Sequence, residues 1–285
     1  MRQFVNPASK KELWEYNLNA GTVKKSTPKE SGCEDYYHSF ETKDGVRDDA
    51  TIEQTFNQIE NRLPKLFEIV RNKNPVSTDA WATLFSFAAL QRARSPKALY
   101  SFQKGLSEMY KRTYQIWKCS PDFAETVRKH GMNPDEVRAA NFEVTADRGH
   151  TLLMLLSSFD KGNLARLLAR MKWAFLIAPP DKYFFTSDDP VCCWARPDKR
   201  GLFGAVGPAN DFVEITIPLS RRVCAFGSWE KAPPKLYHLM PSEMIDDINF
   251  RTVVNGWRFI YGPREDNQIL KMVGEVLENG SQQPR

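Results

Sequence analysis

The sequence predicts an α+β fold: an N-terminal β-hairpin, a central helical bundle and a C-terminal antiparallel sheet with capping helices. Three observations predict it. Short runs rich in aromatic and β-branched residues, parted by Pro, Gly and Asp, occupy both ends of the chain. Between them, apolar residues recur every three or four positions over residues 49–172. The 285 residues are 41% hydrophobic and 12% aromatic, enough for one large core or two small ones. The reading taken is a single unit, with hairpin and acidic loop over 1–48, the helical part over 49–172 and the sheet-rich part over 173–285.

The elements follow in order. Residues 12–28 alternate around Leu13, Trp14 and Tyr16, turn at Asn17–Gly21 and return through Thr22 and Val23, which is hairpin spacing. From Asp49, Ile52, Phe56, Ile59, Leu63 and Leu66 mark one helix of about twenty residues with a bend expected at Pro64. Ser77, Thr78 and Asp79 cap a second helix that runs through Trp81, Leu84, Phe85, Phe87 and Ala88 to QRARSP, where Pro96 ends or kinks it. A third covers about 97–118, and one or two short ones cover 121–140 around Gly131–Pro134. Phe142–Thr145 reads as a short strand; TLLMLLSSF and NLARLLARM return to helix, the first apolar enough to be central to the core. Trp173–Ala178, Tyr183–Phe185, Val191–Trp194, Phe212–Pro218 and Arg222–Phe226 read as one antiparallel sheet, which the N-terminal hairpin is expected to join. A helix from Ser242 to about Asn255, a strand over Trp257–Tyr261 and a helix over Gln268–Glu278 close the chain, with 279–285 frayed.

Charge is segregated. Residues 31–60 hold eight carboxylates against Lys43 and Arg47, a balance of −6, whereas 92–118 hold seven cations against Glu108, a balance of +6. The segments either face one another, remain separate solvated surfaces, or leave the second free to bind phosphate. The overall +5 permits acidic partners without indicating a nucleic-acid-coating protein. No run of 18 apolar residues and no signal-peptide pattern occurs, so a soluble cytoplasmic protein with no membrane association is expected. Five cysteines, two of them adjacent at Cys192 and Cys193, read as buried free thiols of a reducing compartment. P-loop, dinucleotide-glycine, nucleophile-elbow and Cys-x-x-Cys patterns are absent, which sets aside kinase, dehydrogenase and zinc-finger chemistry.

The segments LWEYN, CEDYYHSF, IEQTFNQIE, LQRARSP, WAFLIAPPDKYFFTSDDPV, ITIPLSRRVCAF and DINFRTVVNGWRFIYG occur in that order. Together they resemble the uncharacterised family catalogued as domain of unknown function 4238, over nearly the entire chain. The resemblance implies no established reaction. Members typically begin with a His-x-Val-Pro segment leading through Tyr-Leu-Arg to Phe; here Met1-Arg2-Gln3-Phe4 matches only its tail, so either the start is truncated or this member lacks that first strand and its histidine.

Three constellations could carry chemistry. In TSDDP, Asp188 and Asp189 stand just before Pro190 at a strand-to-turn transition, where one carboxylate can act as base or metal ligand while Ser187 supports the other. The same residues are ordinary turn formers. Gln91 continues an apolar stripe between Arg92 and Arg94, which offer guanidinium forks for an anion or, structurally, for the acidic segment. Glu53 and Glu60 share a helix face, and Glu53 with Asp188 could hold Mg²⁺ or Mn²⁺. His38, after two tyrosines, and His150, before the apolar helix, are acid–base candidates. These residues suggest an intracellular, bacterial, hydrolase-like enzyme acting on a phosphate-containing small molecule or nucleic acid, with Asp188 central. The alternative is a non-catalytic binding or regulatory protein whose polar motifs stabilise the junction of helices and sheet.

Overall fold

The computed structural model describes residues 1–9, 11–31, 40–41, 44–48, 50–140, 145–160, 163–199, 206–230 and 235–278. The hairpin pairs β1 (Leu13–Asn17) with β2 (Thr22–Ser26). Asn17 Oδ1 accepts the N–H groups of Asn19 and Ala20, and Gly21 takes the left-handed φ of 63° that the turn requires. A two-residue ladder, β3 (Phe40–Glu41) with β4 (Arg47–Asp48), precedes the helices.

The long first helix expected from Asp49 is two helices, α1 (Thr51–Glu60) and α2 (Leu63–Arg71). The break falls at Asn61–Arg62, which puts Pro64 in the first turn of α2, where its missing N–H costs nothing. Next, α3 (Thr78–Arg94) starts on the Ser77 hydroxyl, which accepts the Ala80 N–H. It stops at Ser95, since the residue before a proline is driven out of the helical region, and Ser95 sits at φ −64°, ψ 138°. Ser95 then caps α4 (Pro96–Trp117) through the Ala98 N–H at 3.2 Å. RSP is thus a helix stop and a helix start in three residues.

The short α5 (Phe123–Lys129) and α6 (Pro134–Ala139) lead to α7 (Arg148–Asp160) and α8 (Asn163–Leu168). The strand expected at Phe142–Thr145 lies almost wholly outside the described residues. The remaining elements are β5 (Lys172–Ile177), β6 (Thr186–Ser187), β7 (Cys192–Trp194), β8 (Glu214–Ser220), β9 (Val223–Ser228), β10 (Tyr237–Leu239), α9 (Ser242–Asn255), β11 (Phe259–Gly262) and α10 (Asn267–Glu278). The chain therefore folds as an α+β protein.

Two sheets replace the one expected. The order β10-β5-β9-β8-β7 is antiparallel except for the parallel β10–β5 pair, while the hairpin joins β2-β1-β11-β6. Tyr183–Phe185 is not a strand; pairing begins one residue later, at Thr186 opposite Tyr261. One core packs Leu66, Leu84, Phe85 and Ala88 of α2 and α3 on Phe175, Ile215, Ile217 and Ala225 of the five-stranded sheet. Trp81 stacks on Phe85 and Phe175 at ring separations of 5.7 and 5.4 Å. A second core sets α9 and α10 on Tyr16 and Ile260 of the four-stranded sheet and on Phe185 just before β6. Ile245 and Ile248 of α9 also pack on Leu176 and Cys224, so this helix lies between the sheets. The central helix is α3, not α7. Leu152 and Leu155 of α7 are buried beside Leu90 of α3, but Met154 is exposed. No helix among the described residues is long and apolar enough to cross a membrane.

Gly262 shows how tightly the second core closes. A Cβ there would meet the Phe185 ring at 2.0–2.2 Å, so Gly262→Ala is expected to cost about 1–3 kcal/mol through overpacking. Urea denaturation measures this; an unchanged midpoint would mean that the ring swings aside freely.

Candidate functional site

The sequence motifs converge where the α3–α4 break meets the turn after β6. That turn is an extension of the sheet. The Asp188 N–H donates to Phe259 O at 3.1 Å, continuing the β6–β11 ladder beyond Ser187. The Asp188 carboxylate accepts two backbone N–H groups at 2.8 Å each, Trp257 on Oδ1 and Arg258 on Oδ2. It thereby holds the link between α9 and β11. Burial nevertheless pushes its carboxyl up, against the pull of those two donors and with Asp189 adding to the rise. The Ser187 hydroxyl, buried on β6, accepts the Asp189 N–H at 3.2 Å and shapes the turn.

Asp189 points the other way, into the helices. Only 1% exposed, it accepts Arg92 Nη1 on Oδ2 at 3.1 Å, and its backbone carbonyl accepts Asn255 Nδ2 at 2.6 Å. Burial pushes this carboxyl up, while Arg92, Lys97 and the Ser95 hydroxyl oppose the rise. Oδ1 has no hydrogen-bond partner of regular geometry among the described residues. Burial also pushes the Lys97 ammonium down, with Asp189 acting against that shift. The arrangement is a desolvated carboxylate that pairs with Arg92 in the last turn of α3 and interacts electrostatically with Lys97 in the first turn of α4.

Arg92 and Arg94 do not form one anion clamp. Two positions apart on a helix, they point about 160° from each other. Arg92 reaches the sheet at Asp189, whereas Arg94 lies over the Phe56 ring and pairs with Glu60 at 2.7 Å. Gln91 is buried, and its Oε1 accepts Arg94 Nε at 3.2 Å. The acidic and basic segments therefore meet at Arg94–Glu60, while Lys111 pairs within its own helix with Glu108.

Asp188, one half of the expected metal pair, accepts the backbone N–H groups of Trp257 and Arg258. Glu53 stands on the exposed side of α1, and the described residues contain no group of three or more His, Cys, Asp or Glu side chains able to hold a metal ion. His38 lies outside the described residues, as do Glu34 and Asp35. His150 is exposed and bonds Asp147 Oδ1 at 2.9 Å at the start of α7. Cys192 is buried, its thiol pushed up to about 12 by burial, which suits a packed residue.

Sequence reasoning ranked Asp188 above Asp189 and passed over Ser95, Lys97 and Asn255. Ser95 lies in the QRARSP motif and Lys97 directly follows it. Asn255 carries no local signal, because only the packing of α9 beside the TSDDP turn gives it a role. No curated protein and no solved structure shows significant similarity to the chain. One family model does match, over residues 1–266, and it spans the hairpin, both sheets, the α3–α4 break and the TSDDP turn: the chain belongs to the family described as "Protein of unknown function (DUF4238)".

Proposed function

We propose that the chain is a non-catalytic binding or regulatory protein of the cytoplasm, in which QRARSP and TSDDP join the helices to the sheets. The observation that carries this reading is where the polar atoms are spent. Asp188 serves two backbone N–H groups, Asp189 serves Arg92, and Arg94 serves Gln91 and Glu60. A catalytic carboxylate must be open to substrate, whereas Asp188 is buried and both of its oxygens are engaged by the α9–β11 link. The cytoplasmic setting is supported by the free thiols of Cys119, Cys192, Cys193 and Cys224, which a reducing compartment preserves.

The test is turnover. With Mg²⁺ or Mn²⁺, the purified protein is expected to hydrolyse neither simple phosphomonoesters and phosphodiesters nor short DNA and RNA above the buffer rate. Asp188→Asn should lower the melting temperature and change nothing else. Metal-dependent turnover that Asp188→Asn or Asp189→Asn abolishes, with the circular dichroism spectrum intact, would overturn the proposal.

One observation favours a second reading, a hydrolase acting on a phosphate-containing small molecule or nucleic acid. Asp189 is buried, its Oδ1 has no hydrogen-bond partner of regular geometry among the described residues, and it acts on an ammonium whose proton affinity is lowered; such paired shifts cluster at functional sites. In this reading Asp189, rather than Asp188, holds the proton, and Arg92 and Lys97 take the phosphate. It requires turnover that Asp189→Asn eliminates.

A further inference from the structure

We infer that the cavity between α2 and the β8–β9 turn is a binding site for a small organic phosphate, a phosphomonoester with a flat or aliphatic body. This goes beyond the reading above and uses none of its residues. The cavity, about 360 Å³, has an apolar floor that includes Val70, Leu219 and Val223 with Phe67 beside them. Its remaining lining carries Arg71, Lys73, Arg221 and Arg222 and no carboxylate. In a chain with 40 Lys and Arg against 35 Asp and Glu, a lining of mixed sign would be ordinary. The guanidinium of Arg222 is engaged at Pro179, Lys182 and Tyr183, outside the lining, which leaves Arg71, Lys73 and Arg221 as cations whose mutual repulsion an anion would relieve.

The cations are held in place by the fold. Ser220 Oγ accepts the N–H groups of Arg222 and Val223 at 3.2 and 3.1 Å, which fixes the turn beside a register shift between Pro218 and Ser220. Arg222 Nη1 donates to Pro179 O and Lys182 O at 2.5 and 2.8 Å, and its guanidinium lies 5.3 Å from the Tyr183 ring centroid. Arg221 Nη1 reaches Val5 O, and Arg71 Nη2 reaches Gln3 Oε1, each at 3.5 Å. Donors ordered before a ligand arrives lose less entropy when it binds.

Lys73 adds a separate observation. It sits two residues past α2 at φ 55°, the one described non-glycine residue with positive φ, in a closing turn where Asn74 N–H donates to Ile69 O. Glycine is the usual occupant of such a position, and a lysine there carries backbone strain. Guanidinium forks match the oxygens of a phosphate dianion, and the apolar floor accepts the rest of the ester. The volume suits a body of up to about nucleotide size.

Lys73→Gly separates binding from folding, since it removes the ammonium and relieves the strain together. Calorimetric titration at low salt should show adenosine 5′-monophosphate and phenyl phosphate binding the wild type more tightly than inorganic phosphate. Lys73→Gly and Arg71→Gln should each weaken the organic phosphates roughly tenfold, with the Lys73→Gly melting temperature equal to or above wild type. Absence of binding by both organic phosphates, affinities that both substitutions leave unchanged, or binding of a short RNA alone would overturn the inference. Hydrolysis of the same compounds would count against the non-catalytic reading instead, so the two failures are distinguishable.

Discussion

Replacing Asp189 by Ala is expected to lower the free energy of unfolding by about 3–5 kcal/mol, the usual cost of removing one member of a buried ion pair. The carboxylate is 1% exposed, pairs with Arg92 and also acts on Lys97, so its loss leaves two half-buried cations without the anion that offsets their charge. The pair also joins α3, the central helix, to the turn after β6, so the damage reaches both layers. Arg92→Met combined with Asp189→Leu should regain much of the loss, because removing both charges also removes their desolvation cost. Urea denaturation of the two single variants and the double variant measures the coupling. A loss under about 1 kcal/mol for Asp189→Ala, or a double variant less stable than either single, would show that the pair is not the joint between the layers.

Asp188→Ala is expected to cost about 3 kcal/mol, because it strips the acceptor from the Trp257 and Arg258 N–H groups at the α9–β11 link. Amide hydrogen exchange at Trp257 and Arg258 gives a local probe of that link beside the global unfolding curve. The pH dependence has a definite sign. Burial raises the Asp188 carboxyl above its ordinary value of 3.8, so the folded state holds this proton more tightly than the unfolded chain. The stability tied to that proton is fully present below 3.8 and is lost as pH rises through the folded-state value. Relative to Asp188→Asn, the wild type should therefore gain stability as pH falls from 7 towards 4. The opposite slope would show that the two backbone donors outweigh burial and hold the carboxyl down.

Much of the helical part was legible because helix signals are local. The Ser77 cap, the Pro96 stop and the spacing of Leu84, Phe85 and Ala88 lie within a few residues of what they control. The split of α1 from α2 was less legible, since a proline in a first turn and a proline at a bend look alike in sequence. Strand partners were less legible still. Alternation marked the hairpin, but its pairing with β11, 248 residues away in the register Trp14 to Gly262, depends on long-range packing. TSDDP was recognisable as a turn with paired carboxylates. The direction of each carboxylate was not, because adjacent residues at the end of an edge strand face opposite sides and the register decides which side each one takes.

By itself, the sequence determined the α+β class, the caps and breaks of the helices, the segregation of charge and the family to which the chain belongs. The tertiary structure alone decided that there are two sheets with α9 between them, that Asp188 turns to the α9–β11 backbone while Asp189 meets Arg92, and that Arg71, Lys73, Arg221 and Arg222 surround one cavity. The physical reason is range. Caps, turns and periodicity act between residues a few positions apart, whereas an ion pair or a cavity joins residues about 100–150 positions apart, and their meeting depends on how whole layers pack.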